Sequence, residues 1–350
     1  MADLIEPTER GLYCRAGDFY IDPWRPVDRA VVTHAHSDHA RPNCGAYLTA
    51  EDGLVLIRLR TNSDAVEALA YKEPRSIRGV RVSFHPAGHI LGSAQVRVEH
   101  RGEVWVVTGD YKTDPDPTCR PFEPIACHTL VTESTFALPI YRWADSHTVF
   151  DAINEWWRRN AADGRPTMLF GYALGKAQRL VAGLDPSIGP IFVHGSVARL
   201  NDAYRAQDVS LPPTPVATTA NRSDWKGAMI VAPQHANGSV WMRRFGNVAT
   251  GFASGWMTIR GRRRQASVDR GFVLSDHVDW PALLDVISTT GARRVIATHG
   301  YNEVLARYLR EQGLEAVALR TEFRGEDDRS EVELTGEAGE GEAGEGEPRK

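Results

Sequence analysis

Cysteine and long apolar runs are scarce in this 350-residue chain, and each shortage excludes a class of protein. The four cysteines include no CxxC pair and are too few for a disulfide scaffold, which predicts a reducing compartment. No apolar run approaches the roughly 18 residues of a membrane helix, and the first residues lack the basic and apolar parts of a secretory signal. The sequence therefore predicts a cytoplasmic protein without a membrane partner.

A strong net charge is also missing, but the charges are unevenly distributed. The whole chain carries −4, whereas residues 325–350 hold ten acidic and three basic residues and so carry −7. The remaining residues carry +3, which is compatible with a polyanionic partner without requiring one. Residues 325–350 repeat Gly, Glu and Ala with almost no apolar side chain to bury, so we expect them to form a disordered acidic tail.

Hydrophobic periodicity divides the rest of the chain into three segments. Short apolar or alternating runs predict strands at residues 17–22, 29–33, 80–84, 94–100, 103–108 and 130–132. Helices at 147–160 and 176–184 then alternate with strands at 168–170, 190–193 and 229–232, which suggests a separate small parallel sheet. Strands at 271–275 and 294–298 and helices at 280–288 and 301–312 follow. We expect a domain at 1–140, an inserted domain at 141–265, a return segment at 266–324 and the tail at 325–350.

A histidine-rich run carries the strongest chemical information. His34, His36, Asp38 and His39 follow a predicted strand directly, in the pattern HxHxDH. Both imidazoles of the HxH pair can face one side of an extended strand end, and the other two residues come from the following turn. Further candidates stand just past other apolar strands, beside glycines that let the backbone approach an ion closely: His89, Asp110 and His299. Imidazole nitrogens and carboxylate oxygens suit zinc or manganese, so the sequence predicts a metal site.

These motifs resemble those of the metallo-β-lactamase-fold nucleases of the β-CASP group, and most closely the bacterial ligase-associated DNA exonucleases. The resemblance extends from Gly11 to about Arg324, and such relatives are often labelled mRNA 3′-end processing factors. It implies an α/β fold, namely an αββα metallo-β-lactamase sandwich with an inserted β-CASP cap at about residues 141–265. It also implies two divalent metal ions, with zinc as the first choice and manganese as the alternative.

The same resemblance assigns roles to single residues. Asp22 matches the structural aspartate of the first motif. The implied ligands are His34, His36 and His89 for one metal and Asp38, His39 and His299 for the other, with Asp110 bridging both. Glu133, His277 and His299 match the three β-CASP motifs. We expect His277 to protonate the leaving oxygen and Glu133 to orient it, and Asp38 belongs to the catalytic set as well as to the ligands.

Two groups of basic residues are candidates for binding a nucleic-acid backbone. Lys176 and Arg179 begin a predicted helix whose N-terminus could hold a phosphate, although the segment does not match a Walker A loop. The second group is a basic run that lies near several aromatic residues and resembles a single-strand groove of cations and stacking rings. It comprises Arg260, Arg262, Arg263 and Arg264, accompanied by Arg243, Arg244, Trp241, Phe245 and Trp256. A solvated surface is the alternative for both groups.

The motifs and the resemblance together predict a metal-dependent DNA exonuclease of bacterial DNA repair that acts by a two-metal mechanism. The implied partners are DNA, as single strands or ends, and functionally a DNA ligase and a helicase. His299 follows the pattern of the RNA-processing branch, so an RNA exo- or endonuclease of the same fold stays open as the alternative. An inactive binding subunit is disfavoured by the intact ligand set. A small-molecule hydrolase of this fold would lack the insert, Glu133 and His277.

Overall fold

Three β-sheets and eight α-helices make up residues 3–319, the part of the chain that this computed structural model describes. The strands are β1 (Glu6–Thr8), β2 (Gly11–Cys14), β3 (Phe19–Ile21), β4 (Arg29–Val31), β5 (Ala46–Ala50), β6 (Val66–Leu69), β7 (Arg75–Ile77), β8 (Val80–Pro86), β9 (Ala94–His100), β10 (Glu103–Val107), β11 (Thr129–Ser134), β12 (Thr167–Phe170), β13 (Ile191–Val193), β14 (Met229–Ala232), β15 (Ala249–Ala253), β16 (Arg270–Phe272), β17 (Arg294–Gly300) and β18 (Glu315–Ala318). The helices are α1 (Leu54–Thr61), α2 (Ser146–Ala162), α3 (Lys176–Gly183), α4 (Gly195–Arg205), α5 (Val240–Arg243), α6 (Arg260–Gln265), α7 (Trp280–Thr290) and α8 (Asn302–Glu311). The predicted acidic tail at 325–350 lies outside the described residues. Within residues 3–319, no helix is both long and apolar enough to cross a membrane.

The first two sheets combine strands from both ends of the described chain. The first sheet follows chain order from β1 to β6, antiparallel up to β3 and parallel from β3 onward. The second sheet has the order β18-β17-β11-β10-β9-β8-β7. In it, β17 pairs in parallel with β11, although about 160 residues separate the two strands in sequence. The segment after the third sheet therefore returns to complete the second sheet.

The first two sheets pack face to face through an apolar core. Phe19 of β3, Val96 of β9 and Trp105 of β10 share this core and are essentially buried. Successive side chains of β17 point to opposite faces of the sheet. Ile296 faces this core, whereas Val295 faces α7 and α8 on the other side. Helix α1 covers the outer face of the first sheet. Mixed α/β packing in layers is the result.

The third sheet is parallel throughout and has the order β13-β14-β12-β15-β16. In β12, Leu169 faces a core shared with α2, α3 and α4, whereas Met168 and Phe170 face the opposite core. The predicted alternation of strands and helices, and the parallel sheet it suggested, are confirmed. The last strand of this sheet lies at 270–272. The domain limits at residues 140 and 265 remain predictions.

Hydrogen bonds join the segment that leads into the third sheet, residues 141–143, to the segment that leads out of it, residues 277–280. We call this contact the neck. The backbone N–H of Trp143 donates to Asp279 Oδ2 at 2.9 Å, across 136 positions of sequence. The indole N–H of the same residue donates to the His277 carbonyl at 2.8 Å. The Trp280 N–H donates to the Tyr141 carbonyl at 3.2 Å. The two chain segments of the neck are therefore fixed to each other beside His277.

Candidate metal centre

Loops at the ends of four strands bring the seven predicted ligands together. The loop after β4 supplies four of them, those after β8 and β10 supply one each, and the end of β17 supplies the last. The ligands fall into two groups, in each of which the ligand atoms lie within 4.8 Å of one another. The groups are His34, His36, His89 and Asp110, and Asp38, His39 and His299. Strand ends thus position the whole predicted set.

A chain of hydrogen bonds sets the tautomer of His34. The Asp22 carboxylate accepts the backbone N–H of Thr33 at 2.8 Å and its O–H at 2.6 Å. Because the hydroxyl gives its only proton to Asp22, its oxygen accepts from His34 Nδ1–H at 3.0 Å. His34 Nε2 is therefore the basic nitrogen, 3.7 Å from Asp110 Oδ2. Burial lowers the pKa of His34 well below its usual value, which keeps the ring neutral.

Backbone carbonyls set the other two imidazoles of the first group. His36 Nε2 lies 3.2 Å from the Leu174 carbonyl, and His89 Nδ1 lies 2.7 Å from the Asp276 carbonyl. Carbonyl oxygens only accept, so these nitrogens carry the protons and the opposite nitrogens carry lone pairs. His36 Nδ1 lies 3.1 Å from Nε2 of both other rings. Three lone pairs directed at one point repel one another unless a cation lies among them, so these residues fit a divalent metal.

The second group leaves one buried nitrogen unsatisfied. His39 Nδ1–H donates to Asp22 at 2.7 Å, but His39 Nε2 has no hydrogen-bond partner among the described residues. That nitrogen lies 3.7 Å from Asp38 Oδ2 and 3.4 Å from Asp110 Oδ2. Burial opposes the charged ring, yet Asp110, Asp38 and Asp22 raise the pKa of His39 well above its usual value. A buried nitrogen facing two carboxylates is a site that favours a cation.

Asp110 lies between the two groups. Its Oδ2 is 3.4 Å from His39 Nε2, 3.7 Å from His34 Nε2 and 3.9 Å from His89 Nε2. Burial would raise the pKa of Asp110, but His39 and His277 hold it well below its usual value. Gly109 precedes it with φ +56°, and a Cβ there would lie 2.5 Å from Thr33 Oγ1. A glycine is therefore required for the aspartate to reach this position.

Glu133 and His277 form a buried pair beside the first group. Glu133 Oε1 accepts the Tyr111 N–H at 2.7 Å, and its Oε2 accepts from His277 Nδ1–H at 2.8 Å. His277 Nδ1 also lies 4.0 Å from Asp110 Oδ2, and its ring is 4.8 Å from that of His89. The carboxylate fixes the tautomer, so His277 Nε2 is the nitrogen that can carry a proton to a substrate.

Lys176 and Arg179 do not stand at an exposed helix start, contrary to the prediction. Each is 2% exposed and belongs to an ion cluster of three cations and three carboxylates, in which Asp114 is partly exposed and the other five side chains are buried. Lys176 Nζ lies 2.9 Å from Asp276, and Arg179 donates to Asp276 at 3.0 Å and to Asp114 at 2.7 Å. The remaining members are Lys112 and Asp116, 2.6 Å apart. These carboxylates neutralise both cations in a buried setting, which contradicts the predicted phosphate site.

The predicted basic run forms α6 and part of it faces solvent. Arg260, Arg262 and Arg264 are exposed and are called here the basic strip, whereas the Arg263 side chain lies outside the described structure. The Arg262 guanidinium lies 5.3 Å over the ring of Trp256, which is half-buried. Phe245 is buried against Trp225 and so cannot act as a stacking ring, contrary to the prediction.

Several residues of the site were not predicted from the sequence. Thr33, Lys112 and Asp276 each stand within two positions of a predicted residue, and this proximity was the available clue. The Leu174 carbonyl had none, because a backbone oxygen is independent of residue type.

Comparisons with known proteins give relatives of two kinds. No family model matches the chain. A probable DNA ligase of Opitutus terrae is 31% identical over 326 residues, which is 92% of this chain and 31% of that protein. An RNase J-like protein of Methanocaldococcus jannaschii is 26% identical over 215 residues, covering 51% and 50% of the two chains. Cleavage and polyadenylation specificity factor 73 of Drosophila melanogaster is 29% identical over 201 residues, covering 52% and 29%. The chain thus spans at most half the length of these three relatives.

A solved structure shares the fold. A protein of unknown function from Enterococcus faecalis superposes with a TM-score of 0.57, covering 85% of this chain and 80% of that one. Only 12% of the residues are identical, so the likeness concerns the fold alone.

Proposed function

We propose that this chain, which belongs to the β-CASP family of metallo-β-lactamase-fold proteins, is a metal-dependent phosphodiesterase that degrades DNA from its ends. One observation carries the proposal: two groups of imidazoles and carboxylates meet at Asp110, beside the Glu133–His277 pair. Such a site joins a place for two cations to a positioned proton donor, which is what phosphodiester hydrolysis requires.

The architecture of the family is part of the proposal. We assign the first two sheets, with α1 on one side and α7 and α8 on the other, to the αββα metallo-β-lactamase sandwich. We assign the third sheet and its helices to the β-CASP cap, predicted at about residues 141–265. Because β16 at 270–272 belongs to this sheet, the cap extends into the predicted return segment, residues 266–324. The site then lies where the cap meets the sandwich, since the cap carbonyl of Leu174 orients His36.

We assign a role to each residue of the site. His34, His36 and His89 would hold one ion, Asp38, His39 and His299 the other, and Asp110 both. When bound, two divalent ions, zinc first and manganese as the alternative, acidify a water and neutralise the phosphoryl oxygens. Asp22 orients the imidazole of His39 and, through Thr33, that of His34. His277 delivers a proton to the leaving oxygen while Glu133 holds its ring in place.

DNA is the proposed substrate, in cytoplasmic repair together with a DNA ligase and a helicase. The support is that 92% of this chain aligns with part of a protein named a probable DNA ligase. RNA is the second candidate, because other relatives are named RNase J-like protein and cleavage and polyadenylation specificity factor 73. End-labelled DNA and RNA strands, each incubated with zinc, manganese and magnesium in turn, distinguish the two. Rapid shortening of DNA from one end is the expected result, and cleavage of RNA alone would establish the second candidate.

Two variants separate the metal ligands from the proton donor. Asp110→Ala should remove bound metal together with activity, because its carboxylate faces both groups. His277→Ala should keep its metal but slow turnover by about 10²–10⁴-fold, the usual contribution of a positioned acid. Metal content by elemental analysis is measured beside the nuclease rate. Equal metal loss in both variants would make His277 a ligand, and full activity of His277→Ala would remove its catalytic role.

A further inference from the structure

An aromatic cluster adjoins His277 at the neck. It comprises Phe136, Tyr141, Trp143, Trp256 and Tyr301. Phe136 is its centre, with ring centroids 4.7 Å from Trp256, 5.0 Å from Trp143 and 5.9 Å from His277. Gly255 permits this contact, because a Cβ at that position would lie 2.6 Å from the Phe136 ring. The Phe136 ring therefore contacts both Trp256 and the proposed proton donor, and Trp143 also donates its indole N–H to the His277 carbonyl.

The outer rings of the cluster are open to solvent, unlike its centre. Phe136 and Tyr141 are buried, whereas Trp143, Trp256 and Tyr301 are half-buried. Part of each of these three rings is therefore accessible to a ligand. The exposed Arg262 lies over Trp256 at 5.3 Å, which adds a cation to the open rings.

Open aromatic rings beside an arginine are the means by which proteins bind unpaired bases. Every base has a π-face, so stacking tolerates any sequence, and the cation neutralises the neighbouring phosphate. A paired base inside a duplex does not expose its face to such a ring. The position of the rings, one ring away from His277, would place the bound base next to the phosphodiester that is cut.

We propose that Trp143 and Trp256 bind an unpaired nucleobase that flanks the scissile phosphodiester. This inference rests on the proposed nuclease function and specifies its substrate: the nucleotide next to the cut must be unpaired. Blunt duplex ends are then cut only after fraying, and single strands are cut directly. Arg262 contributes by contacting the backbone of the same nucleotide.

The test compares Trp256→Ala and Trp256→Phe with a control, Tyr13→Ala. Tyr13 on β2 is also a half-buried aromatic residue, but its ring neighbour is Tyr20 and its hydroxyl donates to Asp18. The substrates are single strands that carry one abasic residue at successive positions from the cleaved end. The wild type should cut the strand that is abasic at the flanking position about tenfold more slowly than the intact strand. Trp256→Ala should raise KM for the intact strand and lose this discrimination, with metal content unchanged, whereas Trp256→Phe and Tyr13→Ala retain it.

A binding measurement keeps this test independent of turnover. A single strand containing 2-aminopurine should lose fluorescence on binding the wild type and Tyr13→Ala, but not on binding Trp256→Ala. Equal quenching by all three proteins would overturn the base site, as would equal cleavage of intact and abasic strands by the wild type. A uniform slowing of Trp256→Ala on every substrate, with a lower Tm and the wild-type ratio retained, would reduce the cluster to packing. Absence of any cleavage by the wild type would instead refute the nuclease proposal, and quenching would still decide the base site.

Discussion

Four imidazoles of the candidate metal centre each have one nitrogen directed at the other candidate ligands and the other nitrogen fixed by the protein. The three imidazoles of the first group are fixed by a hydroxyl and two backbone carbonyls, and His39 is fixed by a carboxylate. These partners select the tautomer before any ion binds. Thr33 is the least expected of them, because its single hydroxyl joins Asp22 to His34.

Replacing Thr33 tests this relay. Thr33→Val keeps the shape of the side chain but leaves His34 Nδ1–H without its acceptor, so metal affinity should fall about 10- to 100-fold. Thr33→Ser keeps the hydroxyl and should bind metal nearly as the wild type does. Competition with a chromophoric chelator measures the affinity of each protein. Wild-type affinity in Thr33→Val would show that the relay does not orient His34.

At the scale of secondary-structure elements, α3 connects the third sheet to the candidate metal centre. Arg179 and Lys176 extend from its first turns and donate to the carbonyls of Ser275 and Leu274. They thereby hold the segment that contains Asp276, whose own carbonyl accepts from His89. The charges of α3 act through the chain that precedes His277 and not on a nucleic acid.

Arg179→Met should destabilise the fold by about 3–5 kcal/mol, because it removes one of the three cations and leaves the ion cluster with an uncompensated negative charge. Arg158→Met is the control, since Arg158 on α2 pairs with Glu155 where both side chains are 53% exposed. Such a surface pair contributes about 0–1 kcal/mol. Urea unfolding of both variants measures the difference. A similar loss of stability in the two variants would mean that the buried cluster has no special energetic role.

The ion cluster around Asp276 should also make the stability of the fold sensitive to acid. Burial would raise the pKa of Asp276, but Lys176, Lys112 and Arg179 hold it well below its usual range. A lowered carboxyl pKa stabilises the fold above the unfolded pKa, about 4, and this stabilisation is lost as the pH falls toward the folded pKa. Removing Arg179 brings the folded pKa closer to 4, so Arg179→Met should begin to unfold at a higher pH than the wild type. Circular dichroism across an acid titration, with Arg158→Met as the reference, measures this shift.

Regular elements could be predicted where their burial is periodic. Strand β9 buries Val96 and Val98 and leaves Arg97 and Glu99 more exposed, and its predicted bounds are confirmed. Helix α1 was missed because Leu54, Val55 and Leu59 are partly buried while Leu56 and Ile57 are fully buried, so no polar face marks it. The ligands were recognisable by residue type at strand ends. Arg179 was misread because its partner Asp276 lies 97 positions away, and no local pattern records such a distant carboxylate.

Over the whole chain, a group of positive charges and a group of negative charges belong to different segments. The basic strip on α6 is exposed, whereas residues 325–350, which carry −7, lie outside the described structure. A nucleic acid would be attracted to the first and repelled by the second.

Replacing Arg260, Arg262 and Arg264 with alanine should weaken binding of single strands regardless of their sequence. For each arginine that binds a phosphate, its removal should reduce the slope of log K against log salt by about one unit. Fluorescence anisotropy at several salt concentrations, with Arg158→Ala as a control for general charge, gives both quantities. An unchanged affinity and slope would make the strip a solvated surface.

Deleting residues 325–350 should leave turnover intact and strengthen DNA binding, because seven net negative charges no longer repel the strand. The gain should disappear at high salt, where the Debye length is about 3 Å. Nuclease rate and anisotropy on the shortened protein measure both effects. Loss of folding or of turnover would show that these residues are an integral part of the domain.

The neck at Trp143 and Asp279 has a consequence for how much the third-sheet region can vary. A chain excursion of 136 residues begins and ends at one hydrogen bond. The entropy of closing such a loop grows only with the logarithm of its length, so doubling the excursion costs about 0.6 kcal/mol. Proteins that share this neck can therefore have a longer or shorter chain between Trp143 and Asp279 at little energetic cost. The candidate metal centre depends on this region through the neck, the Leu174 carbonyl and the contacts of Lys176 and Arg179, so changes of length are expected in the segments outside these contacts.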